Sequence, residues 1–261
     1  MALRDRGVIK RAIVTPDKHF PIHDKKAINV VCQAIEIIKP TTYIDLGDTG
    51  EWEHFSTHYW KGRSAKPMED LIPLLNKDIE DVNKGMDQID ESLDKAKVKE
   101  RHFIQGNHEV WLDNFVVMYP YLKHYMTEKA LRLKERGYKY HPYNRKKNLK
   151  IGKLNFTHGK YTTKYHAFKH LDYYCENIMY GHTHDLQRFT KTSNGGTISS
   201  WSLGCLKDIE ADEDWLGGKL TNWNHAFAII DWFKGGNFKV EVVEIIKGKT
   251  TLWGESINGK K

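Results

Sequence analysis

The apolar positions of the first fifty residues change their period twice. Residues 11–15 (RAIVT) form a short apolar run that stops at Pro16, as a buried strand would. Residues 24–40 then place apolar side chains at helical spacing up to Pro40: Ala27, Val30, Val31, Ala34, Ile35 and Ile38. Residues 41–48 (TTYIDLGD) return to a strand pattern. This order predicts a parallel βαβ unit, whose ligand sites lie at the carboxyl ends of its strands.

Residues 66–100 carry a heptad pattern. Apolar residues recur there at alternating spacings of three and four: Ile72, Leu75, Ile79, Val82, Met86, Ile89, Leu93 and Ala96. This pattern is typical of a helix that packs lengthwise on another helix, although Gly85 weakens it. We interpret 66–100 as a helical insertion between two core strands. It could cap a site, pair with a second copy as a homodimer, or pack on its own domain, which is the favoured interpretation.

The rest of the chain alternates strand-like runs with turns, and helical stretches are predicted from Trp111 to about Lys134 and around residues 164–175. Hydrophobic residues make up 39% of the 261 residues and charged residues 29%, which is typical of a globular protein. We therefore expect a single domain over 1–261, of mixed α/β class, with a mobile polar tail at 254–261.

Composition narrows the setting and the partners. No apolar run reaches the length of a membrane helix, and the charged N-terminus lacks the pattern of a signal peptide. Three scattered cysteines do not make a disulfide framework, so we expect a reducing, cytoplasmic protein without a membrane partner. The net charge of +7 and pI of about 9.0 favour an anionic partner, although solubility alone would also explain them.

Polar clusters follow five of the apolar runs. They are Asp17-Lys18-His19, Gly47-Asp48, Gly106-Asn107-His108-Glu109, Thr157-His158-Gly159 and Gly181-His182-Thr183-His184. Seven of their side chains are potential metal ligands: Asp17, His19, Asp48, Asn107, His158, His182 and His184. A set without thiolates suits Mn, Fe, Zn, Co or Ni. Seven donors are enough for two ions that share a carboxylate, an arrangement that recurs in phosphoryl transfer.

The motifs DKH, GD, GNHE, THG and GHTH, in this order, resemble the five motifs of the calcineurin-like metallophosphoesterases. The resemblance runs from Asp17 to about Leu206. It implies a four-layered α/β/β/α sandwich of two mixed sheets. It also implies that Asp17, His19, Asp48 and His184 hold one metal, while Asp48, Asn107, His158 and His182 hold the other. Manganese is the metal we expect first, with Fe, Zn, Ni and Co as alternatives.

The resemblance implies a mechanism as well. A metal-bound hydroxide would attack phosphorus, and His108 would assist the leaving group as a catalytic residue. In the Ser/Thr phosphatases of the family the second motif reads GDxxDRG, whereas here Glu51 and Trp52 stand where that motif has its second Asp and its Arg. Glu51 could still orient His108. An indole cannot replace the guanidinium fork on phosphate, which argues against that branch, so Trp52 either stacks on a base or belongs to the core.

Four further residues are weaker candidates for substrate binding: His23, Lys160, Tyr161 and Lys164. His23 follows the first motif, and the other three follow His158 and could line a groove for phosphates. Ordinary solvent exposure explains each of them as well.

Three functions remain open from the sequence. The leading hypothesis is a dinuclear metal-dependent phosphodiesterase, with DNA, RNA or a nucleotide as the phosphodiester substrate. The alternative is a phosphomonoesterase that acts on small molecules or phosphoproteins. The third is a catalytically inactive binding or scaffold protein, which the complete set of seven donors and His108 disfavours.

Overall fold

The structure is a computed structural model that describes residues 7–56, 61, 66–143, 147–211 and 216–260. Its helices are α1 (Lys25–Ile38), α2 (Met68–Lys95), α3 (Asn107–Met118), α4 (Thr127–Ala130) and α5 (His166–Tyr174). Its first strands are β1 (Lys10–Thr15), β2 (Thr42–Asp45), β3 (Glu100–Ile104), β4 (Tyr138–His141), β5 (Leu149–Ile151), β6 (Leu154–Phe156) and β7 (Ile178–Tyr180). The later strands are β8 (Leu186–Ser193), β9 (Gly196–Leu203), β10 (Ala226–Trp232), β11 (Phe238–Glu244), β12 (Lys249–Leu252) and β13 (Glu255–Asn258).

Two mixed sheets form the centre of the fold. The first has the strand order β11-β10-β1-β2-β3-β4, in which β1 to β4 are parallel, β10 is antiparallel to β1, and β11 is antiparallel to β10. The second has the order β5-β6-β7-β9-β8, with a parallel centre of β6, β7 and β9. Because parallel strands need a crossover, helices α1 and α2 each connect two neighbouring parallel strands of the first sheet.

The four layers follow from two apolar cores. One core lies between the sheets and contains Val14, Ile44, Phe156, Met179 and Ile230. The other lies between the first sheet and the helices α1, α2 and α3. Helix α5 covers the outer face of the second sheet, where it contacts β8 and β9. The predicted α/β/β/α sandwich of two mixed sheets is therefore confirmed.

Helix α2 buries its heptad seam against its own chain. Leu75, Val82 and Leu93 are fully buried, and the helix packs along α1. The segment is the crossover that connects β2 to β3, and the apolar seam is already covered by the domain core. A homodimer through 66–100 would therefore have to use the polar face of α2.

The expectation of a mobile tail over 254–261 is wrong for its described part. Residues Glu255–Asn258 form β13, which pairs antiparallel with β12. Ile257 is buried, and the side chains of Asn29 and Gln33 on α1 donate hydrogen bonds to the carbonyl oxygens of Gly259 and Asn258. The segment is held in place because Ile257 is buried and these two carbonyl groups are hydrogen-bonded. The polar composition of the segment alone does not predict this ordered strand. In the described parts of the chain, no helix combines the length and apolarity needed to span a bilayer.

Candidate metal centre

The five polar clusters meet at one edge of the sandwich. Asp17, Asp48 and Asn107 follow β1, β2 and β3 by two or three residues, and His158 and His182 follow β6 and β7 by two. Within each sheet these strands are parallel, so β1, β2 and β3 end at one edge of the first sheet, and β6 and β7 end at one edge of the second. The two edges adjoin, because Oδ2 of Asp48 lies 3.1 Å from Nε2 of His158. The sequence prediction that these clusters share one site agrees with this placement.

The donor atoms fall into three groups whose members lie within 4.8 Å of one another. These groups are Asp17, His19 and His184; His19, Asp48 and His108; and Asp48, His158 and His182. Asp48 belongs to two of them. Its Oδ2 lies 3.1 Å from Nε2 of His158 and 4.0 Å from Nε2 of His19. A carboxylate with imidazoles on both sides has the geometry of a bridging ligand.

Four of the seven predicted ligands have a left-handed backbone, with φ of 52° at His19, 47° at Asp48, 72° at His182 and 61° at His184. This region is unfavourable for residues other than glycine, and such residues concentrate at functional sites. Gly181 allows a further close approach, because a Cβ there would overlap Oδ2 of Asp17. Without that Cβ, the Asp17 carboxylate lies close enough to accept the backbone N–H of His182 at 2.8 Å.

The environment of His158 shows that this site favours a positive charge. Its Nδ1–H donates to the carbonyl oxygen of Leu46 at 2.8 Å, which turns Nε2 toward Asp48 and Asn107. Nε2 lies 2.9 Å from Oδ1 of Asn107 and 3.1 Å from Oδ2 of Asp48, and both oxygens are acceptors. Burial lowers the pKa of His158, but the charges of Asp48 and Asp17 raise it to about 10. A proton therefore holds the acceptors together, and a divalent cation would fit in its place.

His19 is prepared for a cation in a different way. Its Nδ1 donates to Oε2 of Glu51 at 2.7 Å, so that Nε2 carries the lone pair and faces Nε2 of His184 at 3.0 Å. Burial lowers the pKa of His19 to about 4, although Glu51 opposes the shift. Burial raises the pKa of Asp48, but the neighbouring imidazoles, His158 foremost, hold it well below its usual range. A neutral imidazole and an ionised carboxylate are the forms that bind metals.

From the sequence, the carboxylate of Glu51 could orient His108, but in the structure Glu51 directs this carboxylate to other side chains. Its carboxylate pairs with His19 and, at 3.1 Å, with Nζ of Lys207, whereas its backbone carbonyl oxygen accepts from Nδ1 of His108. The reason is that Glu51 donates its backbone N–H to the carbonyl oxygen of Phe20 at 3.0 Å, which places its side chain beside the first motif. Glu51 is therefore a positioning residue for His19.

His108 is held so that Nε2 faces the cluster. With Nδ1 occupied by the Glu51 carbonyl, Nε2 lies 3.9 Å from Oδ2 of Asp48. The backbone N–H of His108 also donates to Oδ1 of Asp48 at 2.9 Å, and its ring packs on Trp111 with centroids 3.9 Å apart. Since Nδ1–H donates to the Glu51 carbonyl, a ring that also carries a proton on Nε2 could donate it to an oxygen beside the cluster, and the role of His108 stays a prediction.

Two fully buried charged residues that support the site were missed in the sequence. The carboxylate of Glu109 accepts backbone N–H groups of Asp48, Thr49, Gly50 and Gly106 at 2.8–3.2 Å. Burial and the charge of Asp48 raise the pKa of Glu109 to about 7, while the backbone donors oppose the shift. The helix predicted from the sequence starts at Trp111, whereas α3 begins at Asn107; a glutamate three residues after Gly106, in the first turn of a helix, is the signal that could have identified it.

Lys18 is the second missed residue. Its Nζ lies 2.7 Å from Oδ1 of Asp45, and both side chains are buried. Asp45 also accepts the backbone N–H of Gly47 at 3.0 Å, so this pair ties the first motif to the turn that carries Asp48. A lysine between two predicted ligands was the available signal, since a buried lysine requires an acidic partner.

Trp52 does not stack on a substrate base, because only 1% of its surface is exposed. It belongs to the core on the helix side of the first sheet, together with Phe55. The backbone of Trp52 is left-handed, with φ of 47°, where the chain turns away from the cluster after Glu51. Of the two sequence interpretations, the core residue is the one that the structure supports.

The weaker substrate candidates do not belong to the three groups of donors. The ring of His23 packs on Phe20, and its Nδ1 donates to the carbonyl oxygen of Pro21. Lys160 places its ammonium 3.7 Å from the ring centroid of Tyr173, and Tyr161 packs on His170. Lys164 is exposed. Their part in substrate binding stays a prediction.

No protein-family model matches the chain, and no curated protein matches it in sequence. Solved structures resemble it in fold. Vacuolar protein sorting 29 of Cryptosporidium parvum has a TM-score of 0.48 and 14% identity, covering 95% of this chain and 98% of that chain. A dimetal phosphatase of Danio rerio has 0.44 and 11%, covering 91% and 95%. The phosphoesterase Yfce of E. coli has 0.40 and 13%, covering 87% and 93%.

Proposed function

We propose that the protein is a dinuclear metal-dependent phosphodiesterase that hydrolyses nucleic-acid or nucleotide phosphodiester bonds. One observation carries the proposal: donors from five separate segments converge on Asp48, which lies between two sets of imidazoles. Two ions bound there would supply an activated water molecule and would shield the charge of the phosphate. The donor set is carboxylate, amide and imidazole, so manganese is the first metal to test.

Side chains of the protein would position the metal ligands and donate the proton. Asp48 and Glu51 orient the imidazoles that would hold the ions, and Glu109 fixes the turn that carries Asp48. His108 holds its Nε2 beside the cluster, where it would donate a proton to the leaving oxygen of the ester. The net charge of +7 favours a polyanionic substrate over a neutral one.

A diester is favoured over a monoester by the second motif. Trp52 takes the place of the guanidinium that clamps a terminal phosphate, and its side chain is buried in the core. A monoester carries one more negative charge than a diester and gains more from such a guanidinium. The names of the similar structures, a dimetal phosphatase and a phosphoesterase, are compatible with either class of ester.

The test is hydrolysis, with Mn²⁺, of bis-p-nitrophenyl phosphate beside p-nitrophenyl phosphate. We expect diester turnover that falls at least about 100-fold in Asp48→Asn and in His108→Gln. His124→Gln, which changes an exposed histidine, should leave the rate unchanged. Turnover of the monoester alone would replace the proposal by a phosphomonoesterase. Turnover of neither ester would favour a binding or scaffold protein.

A further inference from the structure

Trp223 is a half-buried indole outside both apolar cores. Among the tryptophans that the structure describes, Trp201 and Trp232 belong to the core between the sheets, and Trp52, Trp111 and Trp253 belong to or pack against the other core. Trp223 is in neither group. A large aromatic side chain that no core uses needs another explanation, because aromatic burial is a main source of core stability.

The indole stands directly beside the metal centre. Its ring centroid lies 4.7 Å from that of His184, at 71°. His184 in turn contacts His19 at 4.9 Å, and His19 contacts His108 at 4.6 Å. Trp223 therefore ends a row of rings that begins with His108, so the two residues stand at opposite ends of this row.

Its backbone is anchored to the segment that carries His184. Trp223 forms a β-bridge with Asp185, and the backbone N–H of Asn224 donates to the carbonyl oxygen of His184 at 2.9 Å. The ammonium of Lys207 lies 5.9 Å from the centroid of the Trp223 ring. This ammonium is buried and paired with Glu51, so the half-buried indole is the partly exposed member of the pair, and its plane suits an ester that joins a phosphate to a planar group.

We propose that Trp223 contacts the ester group that stays on phosphorus and selects diesters in which this group is planar, such as a nucleoside with its base. The inference rests on the proposed function, in which His108 serves the leaving oxygen at the other end of the row. In-line displacement places the leaving oxygen opposite the attacking oxygen and keeps the retained ester oxygen in the equatorial plane, so the two ester groups point in different directions and can face different residues.

Two esters with the same leaving group test this. Bis-p-nitrophenyl phosphate retains an aryl group after hydrolysis, whereas methyl p-nitrophenyl phosphate retains a methyl group. In Trp223→Ala we expect KM for the first ester to rise about tenfold, as the loss of one stacking contact would cause. KM for the methyl ester should change less than about twofold, and kcat for both should stay near the wild-type value.

Two variants make the result specific. Trp223→Phe keeps an aromatic face and should restore most of the preference for the aryl ester. Trp253→Ala removes a partly buried indole that packs on the other core and on Arg11, so it should leave the ratio of the two KM values unchanged. An equal loss on both esters in Trp223→Ala would show a structural role and would overturn the inference.

Calorimetric binding of both esters to the Mn²⁺-loaded protein separates this inference from the proposed function. If the wild-type protein turns over neither ester, the proposed function fails, and binding still decides the role of Trp223. Weaker binding of the aryl ester alone in Trp223→Ala would support the contact. Unchanged binding of that ester would overturn it.

Discussion

The position of Asp48 depends on Glu109, which belongs to none of the three groups of metal donors. Glu109 has no exposed surface and gathers four backbone N–H groups of the turn around Asp48 and of the start of α3. A carboxylate can accept all four because it has only acceptor sites. The acceptors that hold the turn are therefore supplied from within the fold, beside the carboxylate of Asp48, and burial together with the charge of Asp48 raises the pKa of Glu109 to about 7.

Glu109→Gln tests this role without changing the volume of the side chain. The amide –NH₂ would face N–H donors, which leaves at least one or two buried groups unsatisfied. At about 1–3 kcal/mol for each such group, we expect the free energy of unfolding to fall by about 2–4 kcal/mol in urea titration. Glu128→Gln, on the exposed surface of α4, should change it by less than about 0.5 kcal/mol. A Glu109→Gln protein as stable as the wild type would show that the turn does not need the carboxylate.

At this scale the sequence indicates which residue types are candidates for the site, and it does not indicate the directions of their side chains. The seven donors were identified because each follows a strand end, and the structure gathers six of them in the three groups, with Asn107 hydrogen-bonded to His158. The side chain of Glu51 was assigned to the wrong imidazole, since its direction depends on the hydrogen bond between Glu51 and Phe20, which are far apart in sequence. Trp52 was left undecided because its burial depends on the same turn.

At the scale of elements, α2 connects the core to the site through Phe20. The ring of Phe20, next to His19 in the chain, packs on Gly85 in the middle of α2, where a Cβ would overlap the ring. The heptad pattern predicted the buried face of α2 correctly, and it treated Gly85 only as a weak point of the helix. The structure shows that this glycine makes room for a residue of the first motif.

Gly85→Ala should therefore change the stability of the protein in the opposite direction to the same substitution at an exposed helix position. In an exposed helix the change would stabilise by about 1 kcal/mol, but here it should destabilise by about 1–3 kcal/mol, because the buried Phe20 ring must move. Chemical denaturation measures the difference, with Lys77→Ala on the exposed face of α2 as the control. A Gly85→Ala protein more stable than the wild type would show that the Phe20 ring can move aside without a loss of stability.

At the scale of the whole molecule, two sheets bring together side chains that are more than 160 residues apart, such as Asp17 and His184, which lie 3.5 Å apart at Oδ1 and Nε2. The first βαβ unit could be predicted from the apolar pattern and the sandwich from the motifs. The strand in the tail could not be predicted, because the pairing of β13 with β12 and its hydrogen bonds to α1 leave no periodic pattern in the sequence.

The central claim is a two-metal centre bridged by Asp48, and a calorimetric titration of the metal-free protein with Mn²⁺ tests it most directly. We predict two ions per chain for the wild type and at most one for Asp48→Asn. Since the pKa of His158 is about 10 without an ion, this residue carries a proton at pH 7 that binding must release. Buffers of different ionisation enthalpy should therefore reveal about one released proton, and affinity should fall as the pH falls. A single ion in the wild type, or two ions bound unchanged by Asp48→Asn, would contradict the account.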